Sequence, residues 1–323
     1  MAALRSRVDR AVTAADALYQ RAREAAKDHG PANAARLLQK SLRRLDEAPA
    51  ESPEWLAVRA RVLISLASAD AEITSLKAGL AHLTKARAVL SRMPPGDERG
   101  ELEVVVELQH AVVLFRAGRL GDALALFNAV LPALDRDSPD NRLRFTVNLM
   151  NRAYVHLRMS NPEAALADLN RCLDLAVANG HRQLEGKVRH NLGDRALLVG
   201  DIPEALRHYE DAARIFEVEG PGSLPIVRLD QARALLAAGR GEEASRHLDE
   251  ALPKLRANRV LQDVAEAEVA RAAAASLEGD YGTARQFASA ARRRFLRRGN
   301  QRWAEVAALA KLRADATQTL DGT

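Results

Sequence analysis

Residues 188–216 read VRHNLGDRALLVGDIPEALRHYEDAARIF. The apolar residues recur at helical spacing on both sides of Gly200-Asp201, so the stretch predicts a helix, a tight turn and a second helix. Asp201 is an N-cap residue type, and Glu204 three positions on makes a capping-box pattern. Gly200 suits a helix C-terminus that needs a positive φ.

Sliding this hairpin along the chain reveals a register. The small residue that opens the second helix recurs at Ala34, Gly79, Ala123, Ala165, Ala205, Ala244 and Ala284, with spacings from 45 down to 39. Twelve residues upstream stand Ala22, Ala67, Ala111, Ala153, Gly193, Ala232 and Ala272. Four residues downstream stand Leu38, Leu83, Phe127, Leu169, Tyr209, Leu248 and Ala288; seven downstream, Ser41, Ala86, Val130, Cys172, Ala212, Ala251 and Ala291. Helices approach closely only where the crossing residues are small, and the larger residue one turn on fills the groove. Five residues before the anchor the turn holds Gly118, Gly200, Gly239 and Gly279, with Ser160 substituting once. Asn161-Pro162-Glu163 and Ser52-Pro53-Glu54 are further helix starts, each a cap residue followed by a first-turn proline.

The pattern Asn191-Leu192-Gly193, Gly200-Asp201, Glu204-Ala205-Leu206 resembles the tetratricopeptide (TPR) helix–turn–helix repeat. The period exceeds the ~34 residues of a standard TPR. The surplus falls between repeats, at Ala48–Pro53, Met93–Arg99, Asp135–Asp140 and Gly220–Pro225. The expected organisation is an array over 1–316 with hairpins near 10–45, 54–92, 99–134, 141–179, 182–219, 223–257 and 261–298. A capping helix over 301–316 and a disordered tail over 317–323 complete it. The resemblance implies an all-α, right-handed superhelical solenoid of about seven hairpins whose first helices line a concave surface.

Composition fits helix and narrows the chemistry. Gly and Pro number only 18 and 12 in 323 residues, few for a chain of many turns and short strands. Charged residues are 28% and hydrophobic ones 47%, which argues against disorder. The net charge of +5 is too modest to imply nucleic acid by itself. A single cysteine excludes an intramolecular disulfide framework and a multi-cysteine zinc site. No apolar run reaches the ~18 residues of a membrane span, and the N-terminus lacks a secretion-signal core, so a cytoplasmic location and no membrane partner are expected.

No residue pattern announces catalysis. Cys172 falls at the small inward position of a second helix and reads as core. The eight histidines show no HxxxH or HExxH spacing, no phosphate-binding glycine motif occurs, and neither metal nor cofactor is expected. The run Arg292, Arg293, Arg294, Arg297, Arg298, Arg302 could meet phosphates, but beside Phe295, Leu296 and Trp303 it reads as a solvated face or an inter-domain contact. The informative positions lie on the first helices of the middle hairpins. They are Gln109, Val112, Phe115 and Arg116; Met150, Asn151, Tyr154 and Arg158; Lys187, His190, Asn191 and Asp194; and Asp230 and Arg233. Asn151 and Asn191 share one register position, where a carboxamide can both donate to and accept from a peptide backbone.

The stretches EWLAVRARVLISLA (54–67) and ARRRFLRRGNQRWAEVAALAKLRAD (291–315) resemble the N-terminal TPR arrays of actinobacterial CHAT-domain proteins, in which the array precedes a caspase-like domain. That resemblance implies a regulatory TPR part of a CHAT-type protease system, without the catalytic His–Cys dyad and with a CHAT domain as a partner at the C-terminal end. The expected function is non-catalytic recognition of a protein or peptide in the concave groove. The alternative is a peptide-responsive TPR domain of a transcriptional regulator, and an enzyme using Cys172 is the third reading.

Overall fold

The computed structural model describes residues 2–28, 31–134, 139–258 and 260–321. Among them every element is an α-helix. In chain order the helices follow as hairpins: α1 (Ala2–Asp28) and α2 (Pro31–Asp46), α3 (Pro53–Ile73) and α4 (Leu76–Leu90), α5 (Asp97–Arg116) and α6 (Leu120–Leu134), α7 (Pro139–Arg158) and α8 (Pro162–Ala178). Then come α9 (Arg182–Leu198) and α10 (Ile202–Glu219), α11 (Leu224–Ala237) and α12 (Gly241–Ala257), α13 (Leu261–Leu277) and α14 (Tyr281–Arg297), and finally α15 (Gln301–Asp321). The chain divides into two compact units, Met1–Leu175 and Ala176–Thr323, the division falling inside α8.

The register of small residues is the core of both units. All four aligned positions are buried in all seven hairpins, from Ala22, Ala34, Leu38 and Ser41 to Ala272, Ala284, Ala288 and Ala291. The closeness of approach is visible at Gly79, where an added Cβ would lie 2.7 Å from the Ala67 carbonyl oxygen and 2.8 Å from the Ala71 Cβ. Larger residues then fill the remaining space. Leu56, Leu63, Leu66, Leu83 and Leu90 pack together in the first unit. In the second, Tyr209 and Phe216 build one cluster, and Leu229, Leu248, Leu255 and Val264 another.

One turn closes five of the hairpins. Gly118, Ser160, Gly200, Gly239 and Gly279 all have positive φ. The next residue's N–H reaches back to the carbonyl five residues earlier, as in Asp201 to Ala196 at 2.9 Å and Asn161 to His156 at 2.9 Å. This satisfies carbonyls that the helix end leaves open. The same closure joins hairpins at Gly180 and Gly299, which the register did not anticipate. Among the described residues Ser160 is the one non-glycine with positive φ, at 56°. A left-handed L-residue costs ~1–2 kcal/mol, and a glycine gives back ~0.4–1 kcal/mol through the unfolded chain. Ser160→Gly is therefore expected to raise the unfolding free energy by ~0.5–1 kcal/mol, read as a higher urea midpoint; an unchanged or lower midpoint would contradict the turn assignment.

Caps define the starts. Asp201 accepts from the Glu204 N–H at 3.0 Å, Asn161 from Ala164 at 3.3 Å, and Ser52 from Trp55 at 3.3 Å. The capping box at Asp201 is only half made. The Asp201 N–H is already bonded to Ala196, and the Glu204 carboxylate lies near Arg195 and His208 instead.

The two chain ends depart from the expected bounds. α1 begins at Ala2, ahead of residue 10. α15 continues to Asp321, so residues 317–321 are helical where a disordered tail was expected; residues 322 and 323 lie outside the described residues. The extension has anchors. Ala314 packs with Ala275 and Ala284, Arg285 bonds Asp315 and Gln318, and the Thr317 hydroxyl donates to the Arg313 carbonyl at 3.0 Å.

Candidate functional site

Every groove candidate falls on the first helix of its hairpin. Phe115 and Arg116 close α5; Asn151, Tyr154 and Arg158 lie on α7; Lys187, His190, Asn191 and Asp194 on α9; Asp230 and Arg233 on α11. The structure sorts them into groups that sequence alone could not distinguish.

In the first unit an aromatic platform forms between neighbouring hairpins. The Phe115 and Tyr154 rings lie 5.1 Å apart, tilted by 52°, and the Arg158 guanidinium stands 5.9 Å from the Phe115 ring centre. The Arg116 guanidinium reaches the Ser68 carbonyl at 3.4 Å. Tyr154 remains 36% exposed. Arg152, beside Asn151, is turned away into a two-pronged pair with Asp168 at 2.6 and 2.7 Å.

In the second unit four candidates close into one charge network. His190 Nε2 lies 2.8 Å from Asp230 Oδ2 and 3.9 Å from Asp194 Oδ1. Arg233 donates to Asp230 Oδ1 at 2.7 Å and bonds Glu266 of α13. Tyr209, fully buried on α10, donates its hydroxyl to Asp194 at 2.8 Å. Burial alone would depress the His190 imidazole, but the Asp194 charge and the hydrogen bond and charge of Asp230 outweigh it and push it up to about 9. Burial raises the Asp194 carboxyl, while the His190 bond and the Arg233 charge hold Asp230 low against the same burial. The sequence offers these side chains as groove groups for a peptide; their charges are instead largely satisfied within the protein.

Ligand atoms of His190, Asp194 and Asp230 lie within 4.8 Å of one another, a donor set that spacing along the sequence did not reveal because it joins two hairpins. Arg233 and the protonated imidazole already supply positive charge there, so the geometry is that of an ion-pair network. Tyr209 and Glu266 escaped the sequence reading. Tyr209 stands on a second helix, and Glu266 lies one hairpin beyond the middle repeats. The only signal was the close spacing of His190 with Asp194 and of Asp230 with Arg233.

The third group has no internal partner. Gln109, Asn151 and Asn191 stand two residues before the small crossing residues Ala111, Ala153 and Gly193. All three are half-buried, and among the described residues none has a side-chain hydrogen bond. The Gln109 Nε2 is buried and unpaired.

Cys172 offers no chemistry. It is fully buried, donates to the Thr146 carbonyl at 3.2 Å, and burial, reinforced by the Asp168 charge, pushes its thiol up to about 12. A thiol held protonated is no nucleophile.

Residues 143–218 match the family model described as Tetratricopeptide repeat. Solved structures share the fold at low identity. A Rap protein complexed with Competence and Sporulation Factor is 12% identical with a TM-score of 0.67, over 90% of this chain and 79% of that one. The Rap conjugation gene regulator of plasmid pLS20, in complex with the Phr* peptide, is 11% identical with a TM-score of 0.59, over 95% of this chain and 96% of that one. Aspartyl phosphate phosphatase F from Bacillus subtilis is 12% identical with a TM-score of 0.56, over 95% and 94%. No curated protein matches the chain. The fold is thus an all-helical array of TPR type. Among the described residues no helix is long and apolar enough to cross a membrane.

Proposed function

We propose that this protein is a non-catalytic recognition module that binds an extended peptide or protein segment on first helices of its middle hairpins, α5 and α7 in the first unit or α9 and α11 in the second. The observation that carries the reading is the set of carboxamides at one register position, Gln109, Asn151 and Asn191, none with a partner of its own. Of the three, Gln109 has its Nε2 buried without a hydrogen bond, which costs ~1–3 kcal/mol. A peptide backbone supplies the missing acceptors and donors at once. The tilted Phe115–Tyr154 pair beside Asn151 gives an apolar surface for a side chain, and Arg158 adds a charge that selects it. Lys187, exposed on α9, and the rim of the His190–Asp230–Arg233 network add charge discrimination in the second unit.

The partner in the pLS20 regulator is a peptide by its own description, which supports the peptide reading and favours the regulator alternative over a passive scaffold. The likeness of 54–67 and 291–315 to arrays that precede CHAT domains supports a place in a caspase-like protease system, in the cytoplasm. Panning a random-peptide library against the full chain tests the function. Selected peptides are expected to lose at least about tenfold in affinity for a combined Asn151→Ala, Tyr154→Ala, Asn191→Ala variant that keeps its helical circular dichroism. Unchanged binding to that variant would place recognition elsewhere.

A further inference from the structure

The last helix carries a face that its counterpart in the preceding hairpin hides. A shift of forty residues lays α13 onto α15. Val264, Ala267 and Ala274, which pack back on the preceding hairpin, fall on Ala304, Ala307 and Ala314, all buried against the residues before them. The same shift carries Ala265, Glu268, Val269 and Ala272 onto Glu305, Ala308, Leu309 and Leu312. On α13 that second face is covered by α14: Ala265 and Val269 pack with Ala291 and Phe295, and the buried Glu268 carboxylate takes the Arg294 guanidinium at 2.9 Å. On α15 nothing among the described residues covers it. Leu309 is 49% exposed and Leu312 62%, with Val306 beside them at 42%. Bare leucines in a row mark a contact surface.

Glu305 on this face accepts from Gln301 at 3.1 Å, and the arginines next to the face are unspent. Arg294 is turned inward, but Arg292, Arg293, Arg297, Arg298 and Arg302 are exposed, and none has an ion pair among the described residues. Arg302 shares a side of α15 with Val306 and Leu309 through the spacing of four and seven. Elsewhere in the chain an arginine on a second helix finds its acid on the first helix of the next hairpin, as Arg87 does with Glu107 at 2.9 and 3.1 Å. Arg292 holds the position of Arg87, one residue after Ala291 as Arg87 follows Ala86, and α15 has Ala308 where α5 has Glu107.

We propose that α15 is the docking surface for an amphipathic helix of a partner protein. Its apolar stripe covers Leu309 and Leu312, and its acidic rim pairs with the Arg292–Arg302 cluster. The apolar ridge supplies contact area, and the arginines select an acidic partner in place of a basic one. A nucleic acid would engage the arginines and leave the leucines bare, so the leucines favour a helix.

The test uses the full chain and a fluorescein-labelled amphipathic helical peptide with leucines on one face and glutamates flanking them. Its controls are the same peptide with lysine for glutamate, a DNA duplex, and phosphatidylserine vesicles. By fluorescence anisotropy the acidic peptide should bind at least about tenfold tighter than its lysine twin. Leu309→Glu with Leu312→Glu, and separately Arg298→Glu with Arg302→Glu, should each cost at least about tenfold; both pairs are exposed, and unchanged circular dichroism checks that they fold. No binding, no preference over the lysine twin, or binding indifferent to the leucine pair would overturn the proposal. So would tighter binding of the duplex or the vesicles than of the acidic peptide.

Discussion

Gly193→Leu is expected to destabilise the protein by more than ~3 kcal/mol. An added Cβ at Gly193 would lie 2.5 Å from Cε1 and 2.6 Å from Cδ1 of Tyr209, well inside contact distance. The ring cannot swing away. It is fully buried, and its hydroxyl is tied to Asp194 at 2.8 Å. Even alanine here sets a helix-propensity gain of ~1 kcal/mol against an overlap costing ~1–3 kcal/mol. Leucine adds volume where there is none. The matched control is Glu242→Leu, exposed in the first turn of α12, for which a change within ~0.5 kcal/mol is expected. Urea unfolding of the two variants decides it; equal midpoints would mean that Gly193 is not the crossing point of α9 and α10.

That residue also shows what was legible in the sequence. Gly193 and its six counterparts were found because helix crossings leave a periodic constraint on size, and size is written residue by residue. The turn at Gly200 was legible for the same local reason. The partners of His190 were not. Asp230 is forty residues away and Glu266 further still, and which charged side chains meet depends on how neighbouring hairpins stack. Arg294 makes the point within one run: sequence placed it with its neighbours on a solvated face, while the structure turns it onto the buried Glu268. Asn151 and Asn191 could be aligned by register, but that they lack partners is a property of packing alone.

Asp230→Ala should have the second large effect. It removes the carboxylate that holds both His190 and Arg233, leaving a mostly buried imidazolium facing a guanidinium. Breaking a buried pair this way costs on the order of 3 kcal/mol. The pH dependence carries the signature. His190 is held up to about 9 in the folded protein against 6.5 as its ordinary value, so its contribution is complete below about pH 6.5 and is lost as pH rises through about 9. His110, His156, His208 and His247 are depressed, chiefly by burial, so they oppose folding as pH falls below their ordinary value. Wild type should therefore be most stable near neutrality and decline toward pH 9. In His190→Gln the alkaline decline should flatten. An identical slope for the two proteins between pH 7 and 9 would show that His190 is not held by Asp194 and Asp230.

The network has a consequence for how the second unit opens. A repeat array with contacts only between adjacent helices comes apart one hairpin at a time, from an end. Here Arg233 on α11 is bonded to Glu266 on α13, and Asp230 on α11 to His190 on α9, so three consecutive hairpins share one set of compensated charges. Fraying the fifth or the seventh removes an ion-pair partner from the sixth. The fifth, sixth and seventh hairpins are therefore expected to open as one cooperative foldon, their backbone amides exchanging with solvent together.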